Sequence, residues 1–268
     1  MANLTYCFES YGVGVEIESN SPAILDAAAH TSRRALLERI TEISCGDAEQ
    51  QFQFLIDSYG KCSIFQNGEL MVTDLLSDKF WKFFNSLVRI LVAEFARDMV
   101  FVHAGVVGWR GKAIVLPGDS FFGKSTLVAE FIRLGAEYYS DEYAVFDEIG
   151  MVHSFERPLS LRTEEPESIE IETHITELSG RVGQKPIPVG TLLFTKYLPE
   201  SPTNYEFLST GEAIVQIVKQ TIPIRRNSEF AIKVLKNALS NAIIVQSPRS
   251  EARLFARDFL EFVDNTAI

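Results

Sequence analysis

The feature that most constrains this chain is a glycine-rich segment between an apolar strand pattern and an amphipathic helix pattern. The sequence "KAIVLPGDSFFGKSTLVAEFIRLG" predicts a strand up to Pro117, a loop from Gly118 and a helix that ends at Gly135. The loop follows the pattern G-x-x-x-x-G-K-S. Its glycines let successive backbone N–H groups face a phosphate, and the positive N-terminus of the helix adds to the attraction. Since strand, loop and helix come in the required order, the segment predicts a nucleotide-binding site in an α/β fold.

Each position of the loop has an expected role. Lys124 is expected to reach the β and γ phosphates of a nucleotide, and the Ser125 hydroxyl is expected to ligate Mg²⁺. The other predicted nucleotide-binding positions are Gly118, Asp119, Ser120, Phe121, Phe122, Gly123 and Thr126.

An acidic pair, Asp141 and Glu142, comes shortly after the helix that follows the loop. A magnesium nucleotide site needs a carboxylate at the end of a neighbouring strand. Motor ATPases usually place that acid much farther along the chain, so the short spacing favours a phosphotransfer enzyme over a motor. The alternative is that the two acids only cap a surface strand. A second pair, Asp147 and Glu148, is better explained as the turn of a β-hairpin.

The pattern of predicted elements divides the chain near residue 99. Before that point the sequence predicts a small N-terminal α/β domain, residues 1–98. Its elements are two strands joined at Gly12, a helix with Ser21 as N-cap, a hairpin at Asn67–Gly68 and a helix over 77–99. Residues 99–268 form the second predicted domain. There strands precede and follow the glycine-rich loop, which predicts a mixed β-sheet rather than alternating βαβ units.

Two further predictions concern the second domain. The charged, proline-containing stretch 163–188 is expected to be an exposed excursion or a flap. Two helices are expected at 211–220 and 229–240, and an amphipathic helix is expected from Ser250 onward.

Composition limits the partners and the compartment. The net charge of −11 opposes binding to nucleic acid and to anionic lipid. No basic leader and no apolar stretch long enough to span a bilayer is visible, so we expect a cytoplasmic protein that does not contact membranes. The three cysteines, Cys7, Cys45 and Cys62, lack metal-ligand spacing. Their scatter predicts neither a zinc site nor a disulfide framework and fits a reducing compartment.

The stretch "HAGVVGWRGKAIVLPGDSFFGKSTLVAEFIRLGAEYYSDEYAVF" resembles the catalytic domain of HPr kinase/phosphorylase and of the HPr-kinase-like proteins. These are relatives of the phosphoenolpyruvate carboxykinases. Three elements carry the resemblance: a histidine before the loop, a glycine-rich loop that ends in Gly-Lys-Ser, and an acidic pair after one helix and one strand. The resemblance implies a mixed-sheet P-loop kinase core that uses ATP and Mg²⁺.

The resemblance also implies roles for single residues. Lys124 and the loop amides would hold the nucleotide phosphates, and His103 would lie near them. Asp141 would act as the catalytic base, while Ser125 and Glu142 would hold magnesium. The division of roles between the two acids stays open, because the family prefers aspartate where this chain has Glu142. Arg157 or Arg162 is expected either to add positive charge or to lie on the surface.

These implications lead to one main functional prediction and to alternatives. We expect an ATP-dependent kinase that phosphorylates a hydroxyl, most readily a serine of a peptide or small protein. The family's second loop glycine is Phe121 here, and its later glycine-rich stretch is missing, which argues against HPr as the substrate. The alternatives are a nucleotide-binding regulatory or scaffold module, and a phosphatase or pyrophosphate-using enzyme. HPr kinases are hexameric, so a homo-oligomer is also expected.

Overall fold

A computed structural model describes residues 4–118, 123–162 and 170–266. The chain separates into two compact units, Met1–Asp98 and Met99–Ile268, and each is described by itself. Helices and mixed sheets occur together, which confirms the predicted α/β class. No helix in the described ranges has the length and apolar character needed to cross a bilayer.

The first unit is a six-stranded sheet with two helices. The strand order is β3-β1-β2-β4-β5-β6, and only the β2–β4 pair is parallel. That parallel pair needs a crossover connection, which the first helix provides. The elements are β1 (Leu4–Ser10), β2 (Val13–Ser19), α1 (Pro22–Ala35), β3 (Thr41–Glu42), β4 (Gln50–Ile56), β5 (Lys61–Gln66), β6 (Glu69–Leu75) and α2 (Asp78–Phe95).

Most predicted elements of this unit are present, with shorter helices than expected. The hairpin between β5 and β6 turns at Asn67 and Gly68, which both have positive φ as a tight turn requires. Helix α1 begins after Ser21, whose side chain makes no capping hydrogen bond. Helix α2 buries Phe84 against Phe52 and Phe54 of β4.

The prediction that the cysteines form no disulfide is wrong for Cys7 and Cys45. These two residues are disulfide-bonded, with Cα atoms 5.1 Å apart, and Cys62 is free and buried. Strand β3 pairs with β1 and leads directly to Cys45, so the sheet joins two cysteines that the sequence separates by 38 positions. Glu16 lies opposite Cys7 in the ladder, and the three side chains could approach one metal ion. The disulfide occupies both sulfurs, so no thiolate ligand is available there.

The second unit is a nine-stranded mixed sheet with helices on both faces, plus a two-stranded hairpin. Its first elements are β7 (Met99–Trp109), β8 (Lys112–Pro117), α3 (Lys124–Arg133), β9 (Glu137–Ser140), β10 (Tyr143–Asp147), β11 (Met151–His153), β12 (Leu159–Arg162) and β13 (Glu170–Thr173). The elements that follow are β14 (Arg181–Val182), β15 (Ile187–Tyr197), β16 (Glu206–Phe207), α4 (Thr210–Ile217), α5 (Ser228–Leu239), β17 (Ile243–Arg249) and α6 (Ala252–Thr266). Short 3₁₀ turns cover Cys45–Asp47 in the first unit and Ile175–Leu178, Val218–Gln220 and Ile222–Arg225 in the second.

Strand β8, which leads into the glycine-rich loop, lies in the middle of this sheet. It pairs with β7 on one side and with β15 on the other, and β15 also pairs with β17. Alternate residues of β8 face two different cores. Val115 belongs to the core covered by α4 and α5, while Leu116 belongs to the core covered by α3 and α6. The loop therefore starts from a strand that is buried from Ala113 to Pro117.

Four strands of this sheet end at the same edge. Strands β8 and β9 both run antiparallel to β7, and β15 and β17 run parallel to β8. Their carboxyl ends, near Pro117, Ser140, Tyr197 and Arg249, therefore point in the same direction. Open α/β sheets bind their ligands at such an edge.

Strand β7 pairs with β10 along its first half, up to His103, and with β9 and β8 along its second half. Strands β9 and β10 lie on the same edge of β7, and between them the Ala104 N–H donates a hydrogen bond to the Glu142 carbonyl. His103 therefore lies opposite Tyr143, next to the segment that carries Asp141 and Glu142.

The remaining predictions for this unit are partly confirmed. Asp147 begins the β10–β11 turn, where its carboxylate accepts hydrogen bonds from the backbone of Ile149 and Met151. The expected helices correspond to α4, α5 and α6. Of the expected flap, residues 163–169 lie outside the described ranges. The rest is not a detached excursion, because β13 pairs with β12 and Ile175 packs in the core beside α3.

Candidate functional site

The two ends of the glycine-rich loop have the conformation that its sequence requires. Gly118 follows β8 and Gly123 is the N-cap of α3, and both have positive φ. A residue with a Cβ would be strained at Gly123. The predicted phosphate contacts at Asp119, Ser120, Phe121 and Phe122 lie outside the described residues.

Lys124 is the first residue of α3 and is buried, although lysine is usually exposed. Its Nζ donates a hydrogen bond of 2.7 Å to the carbonyl oxygen of Gly118. The side chain therefore runs back across the loop and connects its two ends. Ser125, the next residue, is partly buried, and Thr126 is exposed.

The structure places His103 beside Lys124. The His103 Nε2 atom lies 3.4 Å from Lys124 Nζ, and the imidazole is half-buried next to the ring of Tyr143. The histidine lies opposite Tyr143 in the β7–β10 ladder. The site thus combines a strand residue and a helix residue that the sequence separates by 21 positions.

Asp141 is the acid of the predicted pair that lies at the loop. Hydrogen bonding with the Ser125 side chain favours its charged form, and its Oδ1 atom is buried without a hydrogen-bond partner among the described residues. Burial raises the pKa of Asp141 from 3.8 to about 7, and the negative charge of Glu142 acts in the same direction. The Ser125 hydrogen bond and the positive charge of Lys124 oppose that rise in pKa.

Glu142 has a different environment from Asp141. Its carboxylate forms an ion pair with Arg157, with 3.1 Å between Glu142 Oε2 and Arg157 Nε. The carbonyl of Arg157 accepts a 2.6 Å hydrogen bond from the Tyr138 hydroxyl, which fixes the backbone there. The sequence assigned Ser125 and Glu142 to one metal ion, but the described contacts join Ser125 to Asp141 and Glu142 to Arg157. Arg162 ends β12, and its side chain is outside the described part of the chain.

Sequence reasoning missed Arg249, a buried arginine at the carboxyl end of β17. Its Nη2 donates a 2.9 Å hydrogen bond to the carbonyl of Gly123, and its Nη1 donates one of 3.1 Å to the carbonyl of Ser250. The guanidinium also lies 5.4 Å from the ring centre of Tyr197. Burial lowers the pKa of Arg249. Its only sequence signal is a position directly after an apolar strand, which is too common to identify a site.

The Ser125 hydroxyl fits the coordination shell of a magnesium ion, and the Asp141 carboxyl group lies beside it. Mg²⁺ prefers oxygen ligands, binds through one or two protein groups and keeps several waters or substrate oxygens. Here a hydroxyl and a carboxylate are in contact, and one buried carboxylate oxygen has no partner among the described residues. The donor set therefore suits Mg²⁺ better than a softer metal.

A cavity of about 430 Å³ adjoins the loop at Gly118. It lies where β15 and β17 end, on the face of the sheet that α4 covers, and its walls include Phe194, Lys196 and Gln216. Cavities of this size commonly hold small organic ligands.

The fold and the site define a mixed α/β unit with a glycine-rich loop and a lysine, a serine and an acid at the carboxyl edge of its sheet. No family model matches the chain, and no curated protein matches it. Among solved structures, the chain is similar to the Hpr(Ser) kinase/phosphatase from Coxiella burnetii, at 11% identity and a TM-score of 0.33. That match covers 62% of this chain and 97% of the other. The function is therefore inferred below from this chain's own residues.

Proposed function

We propose that the unit formed by residues 99–268 is an ATP-dependent kinase that transfers the γ-phosphoryl group to a hydroxyl. One observation carries the proposal. A buried lysine, a hydroxyl and a carboxylate whose pKa is raised to about 7 meet at the end of a strand–loop–helix segment of phosphate-binding pattern. Lysine and backbone N–H groups suit the phosphates of a nucleotide, and the carboxylate suits a hydroxyl acceptor.

The cationic residues hold and orient the phosphates. Lys124 exchanges its hydrogen bond with Gly118 for contacts to the β and γ phosphates. Arg249 holds the carbonyl of Gly123, so that this end of the loop keeps its shape. Phosphoryl transfer depends mostly on positioning and on electrostatic stabilisation of the transferring group. His103 lies close enough to Lys124 to contact the same phosphate.

The Ser125 hydroxyl, which interacts with Asp141, would ligate the metal. When bound, Mg²⁺ neutralises charge on the β and γ phosphate oxygens. The described contacts favour Ser125 without Glu142 as the protein ligand, since Glu142 pairs with Arg157.

Asp141 takes the proton of the acceptor. As the acceptor oxygen forms its bond to the γ phosphorus, the bond between the γ phosphorus and the bridging oxygen breaks and ADP leaves with that electron pair. The acceptor proton passes to Oδ1 of Asp141, which has no hydrogen-bond partner among the described residues. A raised pKa makes the carboxylate a better base near neutral pH.

The acceptor we propose is a serine hydroxyl in a peptide or small protein. The motif resemblance of residues 103–146 to HPr-kinase-like proteins supports this choice. HPr is not proposed, because the later glycine-rich segment of HPr kinases is missing from the sequence.

Nucleotide binding and phosphotransfer test the proposal separately. Calorimetry with ATP and Mg²⁺ should show binding to the wild type, and Lys124→Ala should bind about 10- to 100-fold more weakly through loss of a charged hydrogen bond. Labelled ATP with serine-containing peptides measures turnover. Asp141→Asn should keep magnesium-dependent binding and lose about 10²- to 10⁴-fold in turnover.

Three results would overturn parts of this proposal. No binding by the wild type would remove the nucleotide site. Loss of magnesium-dependent binding in Asp141→Asn would make Asp141 a metal ligand instead of a base. Binding without turnover on any peptide, with a protein partner retained in pull-down, would favour the regulatory module.

A further inference from the structure

The cavity beside Gly118 has a fixed position relative to the phosphate site. His103 and Asp141 lie on the side of β8 where β7 and β9 run, whereas the cavity lies on the other side, where β15 and β17 end. In the proposed reaction the γ phosphate lies at Asp141. The cavity on the opposite side of β8, past Gly118, leaves room for the rest of the nucleotide.

The walls of the cavity offer groups that match a nucleoside. Side-chain amides come from Gln216, Gln220 and Gln246, and an amide can both donate to and accept from the edge of a base. Phe194 and Leu198 supply apolar surface for the face of a base. The Gln246 amide already donates to Glu206, at 2.6 Å, so its orientation is fixed.

Charge on the walls favours the phosphate end of a nucleotide over an uncharged ligand. Among the described lining residues, two are lysines, Lys196 and Lys219, and one is an acid, Glu206. Both lysines are exposed, so they can reach a phosphate at the mouth of the cavity without a burial cost.

We propose that this cavity binds the nucleoside of the phosphoryl donor. The proposal rests on the kinase function proposed above and adds its donor subsite. Recognition comes from amides at the edge of the base, with Gln216 facing the cavity, and from the apolar wall against its face. A donor without a nucleoside, such as tripolyphosphate, should therefore bind through the loop alone.

The test measures the affinities of ATP and tripolyphosphate by calorimetry with Mg²⁺, for the full chain and two variants. Gln216→Leu removes one amide at nearly constant volume and should weaken ATP binding about 5- to 10-fold, while the affinity for tripolyphosphate should change by less than about twofold. Thr191→Val changes a buried side chain of β15 that does not line the cavity, so it is the control and should leave both affinities unchanged. Thermal unfolding checks that every variant is folded.

The outcomes separate this proposal from the proposed kinase function. If the wild type binds neither ligand, the phosphate site itself fails and this subsite falls with it. If the wild type binds both equally well, the loop is functional and the nucleoside subsite is refuted. Unchanged ATP affinity in Gln216→Leu also refutes it, and a raised KM for the peptide in that variant would reassign the cavity to the acceptor. If Gln216→Leu weakened the binding of ATP and of tripolyphosphate equally, the defect would lie in the loop, and the nucleoside subsite would be refuted.

Discussion

The raised pKa of Asp141 predicts a pH-dependent cost to the stability of the nucleotide-free and metal-free protein. The perturbation that reveals it is Asp141→Asn, which keeps the size of the side chain and an oxygen that accepts from Ser125, but removes the titration. Burial makes ionisation of Asp141 unfavourable in the folded chain, whereas the unfolded chain ionises it freely.

The sign and the size follow from the two pKa values. Between pH 4 and pH 7 the folded chain keeps a proton on Asp141 that the unfolded chain has lost, so stability falls as the pH rises through this window. The difference between 3.8 and about 7 corresponds to about 4 kcal/mol in total. About 2 to 3 kcal/mol of this loss of stability falls between pH 5 and pH 8, where it can be measured. The asparagine variant lacks this slope, so its stability relative to wild type should rise by that amount.

The assay uses the two tryptophans, Trp81 in α2 and Trp109 in β7. In a Trp81→Phe background, urea unfolding followed by Trp109 fluorescence reports the second unit alone. Measurements at several pH values with a chelator give the free energy of unfolding for wild type and variant. The exposed Asp258 on α6, changed to asparagine, is the matched control.

One result would refute the reasoning. If the free energies of unfolding of wild type and Asp141→Asn run parallel between pH 5 and pH 8, Asp141 is not buried in the way described. A parallel offset that does not change with pH would reflect only the exchanged hydrogen bonds. The Asp258→Asn control should show such parallel behaviour.

Two further predictions concern the disulfide and the loop. The Cys7–Cys45 bond closes a loop of 38 positions, so its reduction should destabilise the first unit by about 4 kcal/mol. Thiol titration of the unfolded, unreduced protein should find one free thiol, and three free thiols would contradict the bond. Gly123→Ala and Gly111→Ala both place a Cβ at positive φ, but only the first meets a side chain, that of Arg249. The backbone conformation alone should cost each variant about 1 kcal/mol of stability. Gly123→Ala should lose more than Gly111→Ala and should also bind ATP less well. Equal losses of stability with unchanged ATP affinity would contradict the described contact.

The sequence predicted the local elements of the site because local rules set them. The strand before Gly118 and the helix after Gly123 follow from periodicity and from glycine conformation, and both are present as β8 and α3. The hairpin at Asn67–Gly68 follows from the residue pair alone.

Contacts between distant segments could not be predicted in this way. The pairing of Ser125 with Asp141 instead of Glu142 depends on which of two adjacent side chains turns toward the loop after β9. The contact of Arg249 with Gly123 depends on the neighbouring order of β8, β15 and β17, which no local pattern specifies. The Cys7–Cys45 bond likewise follows from the β1–β3 pairing. The assignments of catalytic roles, of ATP and Mg²⁺, and of a serine acceptor stay predictions.

The contact between Arg249 and Gly123 joins positions 126 residues apart, and this has a consequence for synthesis on the ribosome. The segment from 112 to 133 emerges long before β17, so the glycine-rich loop exists in the nascent chain without the arginine that holds its end. Contacts between distant positions also form late in folding, since a long loop must first close. A nascent chain released before residue 249 therefore presents the sequence of a phosphate loop without its finished shape. Nucleotide can then act as a ligand that stabilises only the completed unit.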